Sequence, residues 1–124
     1  MANPFVHSEL NTTDLEKSKT FYGKLFDWKY EEMSGADGMQ YTVIGVGETK
    51  GNGTGGGMLK QMMPGAPSAW MPYVLVDDIQ ASTKKARSLG ATVLKDVTEV
   101  ADMGSLSILK DPTGAIIGLW QTRM

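Results

Sequence analysis

The same succession of elements can be read twice along this chain, and that repeat constrains the fold more than any single motif. Superposing Asp14 on Asp78 pairs a strand, a capped helix and three strands with a second strand, capped helix and three strands. The repeat lies in the pattern rather than in identical residues. At 124 residues the chain holds enough material for one hydrophobic core. Both halves are therefore expected to share a single α+β domain over residues 1–124, with modules over 1–63 and 69–124 and a linker over 64–68. The linker is read from Pro64-Gly65-Ala66-Pro67, which is turn chemistry without periodicity.

Within the first half, Phe5 to Asn11 alternates in type, placing Phe5, His7, Glu9 and Asn11 on one face and Val6, Ser8 and Leu10 on the other. Thr13-Asp14-Leu15-Glu16 fits a capping box with Thr13 as the cap. It predicts a helix from Asp14 to Phe26 whose buried stripe is Leu15, Tyr22, Leu25 and Phe26. Strands are expected at Trp28 to Met33 and Met39 to Val46 around a turn at Ser34 to Gly38, and at Met58 to Met62 after the glycine-rich Gly51 to Gly57. In the second half a strand at Trp70 to Val76 leads to a helix capped by Asp77 with Gln80. Its stripe is Ile79, Ala86 and Leu89, and Gly90 ends it. Strands follow at Thr92 to Val100, Ser105 to Lys110 and Ala115 to Gln121, the last two joined by the turn Asp111-Pro112-Thr113-Gly114.

Three groups of residues carry a resemblance. They are Thr12-Thr13-Asp14-Leu15 leading to Phe21-Tyr22-Gly23-Lys24-Leu25-Phe26-Asp27-Trp28; Val76-Asp77-Asp78-Ile79; and Lys110-Asp111-Pro112-Thr113-Gly114-Ala115 running into Gly118-Leu119-Trp120-Gln121. Together they resemble the vicinal oxygen chelate superfamily, which includes glyoxalase I, extradiol dioxygenases and bleomycin-resistance proteins. The resemblance implies two βαβββ modules whose strands form a concave mixed sheet, with helices on the outer face and small-molecule chemistry on the inner one. It also implies a homodimer.

Metal-using members of such a family take one ligand from each of the first, fourth, fifth and eighth strands, commonly His, Glu or Gln. Carried onto this chain, the first-strand position is His7, the fourth falls at Gly57 or Met58, the fifth is Met71 and the eighth is Gly118. His7 is the sole residue of that set suited to a borderline divalent ion, since a thioether is soft and glycine offers no side chain. One imidazole does not make a zinc or nickel site. No cofactor is expected, and a divalent metal is disfavoured.

Alternation brings His7 and Glu9 together with Met71 and Tyr73 of the fifth strand and Gly118 and Trp120 of the eighth; with Tyr41 of the third they form the candidate site. Such an apolar, aromatic lining suits a small planar or aromatic molecule. Glu9, desolvated among these rings, is expected to hold its proton more tightly, and with His7 it forms a candidate acid/base pair. The first functional reading is a small-molecule-binding protein of the glyoxalase/bleomycin-resistance type without a metal site. The alternative is a lyase, isomerase or dioxygenase-like enzyme using His7 and Glu9 in proton transfer; a third reading uses the cup face for protein contact.

Other classes are excluded more simply. A formal charge of -2, with basic residues scattered, supplies no positive stripe for nucleic acid. No apolar run reaches the ~20 residues of a membrane-spanning helix, and the first residues do not read as a secretory signal, so a cytoplasmic location is expected. Absence of cysteine removes disulfides and thiolate ligands. Gly51-Asn52-Gly53-Thr54-Gly55-Gly56 matches G-x-G-x-x-G, but too few residues precede Pro64 for the helix that a dinucleotide site needs. The segment is read as a lid or hairpin loop over the cup.

Overall fold

A computed structural model describes residues 2–34, 38 and 40–123. It contains β1 (Phe5–Thr12), α1 (Leu15–Leu25), β2 (Lys29–Ser34), β3 (Gln40–Gly45), β4 (Gly56–Lys60), β5 (Ala69–Leu75), α2 (Ile79–Ser88), β6 (Thr92–Val100), β7 (Gly104–Lys110) and β8 (Ile116–Thr122). All eight strands form one mixed sheet in the order β2-β3-β4-β1-β5-β8-β7-β6. This is the expected α+β architecture of two βαβββ units. Of the turn expected at Ser34 to Gly38, residues 35–37 lie outside the described residues, as does Met39 at the start of the expected third strand.

The two halves meet where β1 pairs antiparallel with β5, in the register His7↔Tyr73 and Glu9↔Met71. On either side of that seam the next strand is parallel: β4 on β1 with Glu9↔Gly57, and β8 on β5 with Tyr73↔Gly118. These registers define a local pseudo-twofold axis that exchanges His7 with Met71, Glu9 with Tyr73, and Gly57 with Gly118. The fourth-strand position left open between Gly57 and Met58 is thereby Gly57.

Strand alternation divides the core. On the outer face Leu10, Ile44 and Met58 pack under Leu15 and Tyr22 of α1, together with Trp28, Tyr30 and Val46. On the inner face Met71, Tyr73, Val100, Leu106 and Ile108 form a second cluster with Ile116 and Trp120. Under α2 a buried hydroxyl pair, Thr83 Oγ1 to Ser107 Oγ at 2.9 Å, satisfies both groups against the sheet. Among the described residues no helix is long and apolar enough to cross a membrane.

Both helices begin one residue later than the capping boxes suggest. The caps are Asp14, whose carboxylate accepts from Lys17 N at 3.0 Å, and Asp78, which accepts from Ala81 N at 3.1 Å. Thr13 instead bonds Ser68 before β5, which ties the α1 entrance to the second half. At the α1 entrance a carboxylate is a better acceptor for the unpaired first-turn N–H groups than the Thr13 hydroxyl and also complements the helix dipole, so Asp14 takes that cap; at α2 both candidates are aspartates. The predicted stripes are only half buried. Leu15 and Tyr22 pack inward, but Leu25 and Phe26 are exposed, and in α2 Ile79 is buried with Thr83 while Leu89 is exposed. Gly90 follows the α2 cap at φ +101°, the left-handed geometry a glycine accepts without strain.

The glycine-rich segment also differs from expectation. Gly56 and Gly57 are buried residues of β4 rather than loop, and Thr54 Oγ1 donates to Val6 O at 2.6 Å, fastening the preceding residues to β1. A strand rather than a helix follows the glycines, as the rejection of a dinucleotide site requires.

Each cap should be worth about 1 kcal/mol. Urea unfolding of Asp14→Ala and Asp78→Ala is expected to show that loss for each, whereas Asp77→Ala, one residue outside the cap, should stay within about 0.5 kcal/mol of the parent.

Candidate functional site

Three strands aim side chains at one part of the cup. From β1 come His7 and Glu9, from β3 Tyr41 and from β5 Tyr73. Glu9 has no solvent-exposed surface, and Tyr73 is 1% exposed. A buried carboxyl must have its oxygens partnered. Tyr73 donates its hydroxyl to Glu9 Oε1 at 2.8 Å, and Asn11 Nδ2 donates to Oε2 at 3.1 Å. Tyr41 stands beside this pair, its hydroxyl 2.7 Å from His7 Nε2. The His7 ring packs edge-on against Tyr73 and stacks with Tyr41.

The His7–Tyr41 contact has two proton arrangements, the phenol donating to a bare Nε2 or Nε2–H donating to the phenol oxygen. The β1 alternation alone does not disclose this contact, because Tyr41 comes from β3.

The two glycines expected at metal-ligand positions are occupied by rings instead of side chains of their own. A Cβ on Gly57 would lie 2.2 Å from the Tyr41 hydroxyl oxygen, and a Cβ on Gly118 would lie 2.3 Å from Tyr73 Cε2. Real Cβ atoms do not come that close, so each tyrosine lies flat over a missing side chain. Together with Met71 at the third position, this donor set does not fit a divalent metal: His7 is its single nitrogen ligand. Among the described residues no three of His, Cys, Asp and Glu stand close enough to hold one ion.

Two pockets flank the buried Glu9–Tyr73 pair. The first, of about 230 Å³, is lined by His7, Tyr41, Tyr73 and Trp120 with Val6, Val43, Val100, Leu106, Met103 and Thr122. The second, of about 380 Å³, lies toward the other end of β1 and contains Met71, Asn11, Gln61, Met62, Met63, Leu94, Lys95, Ile108 and Ile116 among its walls. The candidate residues therefore do not share one wall. His7, Tyr41, Tyr73 and Trp120 come together, Met71 faces the second pocket, and Glu9 and Gly118 line neither. Gly118 is covered by Tyr73 and Glu9 is sealed by its partners, so both corrections follow from the same ring packing. The aliphatic residues of the first pocket were missed because alternation marks them only as core. Asn11 shares the His7 face and could have been found; Lys95 lies between two slips of the β6–β7 register, which alternation does not foretell.

Burial sets the proton affinities. Desolvation raises the Glu9 pKa, outweighing the opposing hydrogen bonds from Tyr73 and Asn11 and the charge of Lys95. It lowers that of His7, and raises Tyr41 and Tyr73 far above the ordinary phenol range, with the Glu9 charge adding to the shift. The imidazole is thus neutral at neutral pH. For stability the signs are opposite. A raised Glu9 pKa contributes stability that is present below its unfolded value near 4.5 and lost as pH rises through the folded value. A lowered His7 pKa contributes stability that is present above 6.5 and lost as pH falls through the folded value.

Unfolding free energies at pH 5 and pH 8 should therefore show the parent losing more stability toward pH 8 than Glu9→Gln does, because the variant cannot ionise there; equal pH dependence would contradict a raised Glu9. The ring-over-glycine packing predicts that Gly118→Ala costs about 1–3 kcal/mol, the usual range for overpacking. In a Tyr73→Ala background the same substitution should cost far less, a coupling read from the double-mutant cycle.

This geometry accords with the relationships of the chain. Residues 5–119 match the family model described as the Glyoxalase/Bleomycin resistance protein/Dioxygenase superfamily. The chain is similar to "Putative glyoxylase CFP32" of Mycobacterium tuberculosis, with 35% identity over 119 residues, 91% of this chain and 43% of that protein. It is also similar to the anthracycline biosynthesis protein DnrV of Streptomyces peucetius, at 25% identity over 91% of this chain and 45% of that protein. It thus spans less than half the length of these curated relatives. Methylmalonyl-CoA epimerase from Mycobacterium tuberculosis has a similar fold, with a TM-score of 0.69, 15% identity, and coverage of 97% of this chain and 88% of that one. The family match over nearly the whole chain and the shared eight-stranded cup lead to one conclusion: this chain belongs to the glyoxalase/bleomycin resistance protein/dioxygenase superfamily.

Proposed function

We propose that this chain binds a small planar or aromatic organic molecule in the pocket of His7, Tyr41, Tyr73 and Trp120, and that it does so without a divalent metal. The observation that carries the reading is the pair of tyrosine rings lying over Gly57 and Gly118, where metal-ligating side chains would have to stand. The pocket volume of about 230 Å³ is below the roughly 300–1,000 Å³ of drug-sized sites, which favours a compact ring system. Trp120 offers a face for stacking, and His7 is the polar group that fixes orientation. A relative named for anthracycline biosynthesis supports flat ligands, since anthracyclines are fused-ring compounds. Homodimerisation belongs to the same reading, as does a cytoplasmic location.

A second reading rests on a different observation, the hydrogen bond of the His7 imidazole to the Tyr41 hydroxyl beside the buried Glu9–Tyr73 pair. A neutral imidazole can accept a proton from an acidic C–H or O–H of a bound molecule. Lyase or isomerase chemistry would follow, in keeping with relatives named as glyoxylase and structural neighbours named as epimerase. His7 is the acceptor in this reading and Glu9 the second proton-transfer group.

Titration with 1-naphthol tests the first reading. Tryptophan fluorescence should be quenched saturably, the change should vanish in Trp120→Phe, and the melting temperature should rise equally with and without EDTA. Saturation at 100 times Kd corresponds to about 2.7 kcal/mol of added stability. Binding that requires stoichiometric metal, or that EDTA removes, would overturn it. His7→Ala separates the two readings: loss of turnover with retained binding assigns proton transfer to the imidazole.

A further inference from the structure

The two proton arrangements of the His7–Tyr41 contact offer a guest of the first pocket different groups, and the surroundings distinguish them. A separation of 2.7 Å is usual for hydrogen bonds donated by a hydroxyl and lies at the short limit of those that an N–H donates to oxygen. The Tyr41 phenol is buried and keeps its proton, since desolvation and the Glu9 charge hold its pKa far above the ordinary range. A buried O–H needs an acceptor. Both Glu9 oxygens are already met, Oε1 by the Tyr73 hydroxyl and Oε2 by Asn11 Nδ2, whereas Nε2 of the neutral imidazole is a lone pair at bonding distance. An imidazole that accepts at Nε2 carries its hydrogen on Nδ1.

The other ring donors of the pocket wall are committed. Tyr73 gives its O–H to Glu9, and Trp120 Nε1–H donates to Thr122 Oγ1 at 3.1 Å. Thr122 itself stands at the exposed end of β8, and most of the remaining lining is aliphatic. His7 Nδ1 has no hydrogen-bond partner among the described residues, and these residues leave no buried side-chain nitrogen or oxygen unpaired, so Nδ1 borders open space. The space that the His7 ring lines is the first pocket.

We infer that Tyr41 is a positioning residue that fixes His7 as the Nδ1–H tautomer, and that the first pocket consequently selects compact aromatic molecules carrying a hydrogen-bond acceptor, such as a ring carbonyl. A guest with only a donor, or with no polar group, would leave this N–H without a partner when it displaces water from the pocket. The choice of guest rests on the first reading given above, whereas the tautomer is a property of the free protein. In this tautomer no lone pair of the ring is left for the guest, so His7 orients a bound molecule and does not take its proton.

His7 is the single histidine of the chain, so nitrogen-15 NMR of the imidazole reads its tautomer directly. At neutral pH the free protein should carry hydrogen on Nδ1 and a bare Nε2. Tyr41→Phe, which keeps a ring over Gly57 and removes only the hydroxyl, should shift the ring toward Nε2–H, the form that histidine favours in water. Calorimetric titration then compares 1-tetralone, a carbonyl acceptor, with tetralin, which has no polar group, and indole, which has a single N–H donor. The ketone should bind at least about tenfold more tightly than either, the scale of one hydrogen bond, and should move the Nδ1 resonance. That preference should shrink in Tyr41→Phe and vanish in His7→Phe, with circular dichroism confirming that each variant is folded. Hydrogen on Nε2 in the free parent, which would send the Tyr41 proton to Glu9, overturns the inference whatever binds. So does equal affinity for ketone and hydrocarbon, tighter binding of indole, or a preference that survives His7→Phe and thereby belongs to another donor such as Thr122. Absence of saturable binding by all three overturns the first reading and the selection that rests on it, while the spectrum of the free protein still decides the tautomer.

Discussion

Burying one carboxyl group organises the inner face of this molecule. Glu9 stands at the seam between the two halves with no solvent exposure, and each of its oxygens must be met by a donor. Tyr73 arrives from the second half, while Asn11 comes from β1 itself. The Tyr73 ring reaches Glu9 across Gly118, and Tyr41, whose hydroxyl meets His7, crosses Gly57. A side chain at either glycine would obstruct its ring. The carboxyl, the two rings and the two glycines are one interdependent arrangement, and the separation of the cup into two pockets is its geometric result.

The outer face obeys simpler rules. Leu10 and Met58, neighbours in sequence of the inward Glu9 and Gly57, point the other way and carry α1 through Leu15 and Tyr22. An aromatic cluster of Phe21, Tyr22, Phe26, Trp28 and Trp70 continues from this contact toward solvent, with the Trp70 indole N–H donating to the Tyr22 hydroxyl at 3.2 Å. Edge-to-face and stacked rings hold the helix on the sheet where its aliphatic stripe is short.

Much of this architecture is legible in the sequence because it rests on periodicity. The alternation of β1, the order of elements and the equivalence of Asp14 with Asp78 all follow from spacing, and both aspartates prove to be helix caps. Cap position is less legible: a Thr or Asp one residue earlier satisfies the capping pattern equally well, and at α1 the cap falls on Asp14 while Thr13 bonds Ser68 of the other half. Leu25, Phe26 and Leu89 have the right spacing for a stripe, yet helix ends extend past the sheet that would bury them. The site was legible residue by residue but not as a partition. That Tyr41 meets His7, or that Tyr73 lies over Gly118, depends on ring positions between strands distant in sequence, and the place of Lys95 beside Leu94 in one pocket wall goes with a register slip.

The seam has a consequence for how the two halves can change. The duplicated fold has kept its symmetry in the backbone, with His7 facing Tyr73 and Glu9 facing Met71, while the side chains exchanged by the axis differ in kind. Glu9 and Tyr73 stand at equivalent places and are hydrogen-bonded to each other, so each half holds one end of a single polar contact. A substitution at either place leaves a buried group of the other half without its partner. Two modules built on one plan have thereby become specialised parts that are complete only together.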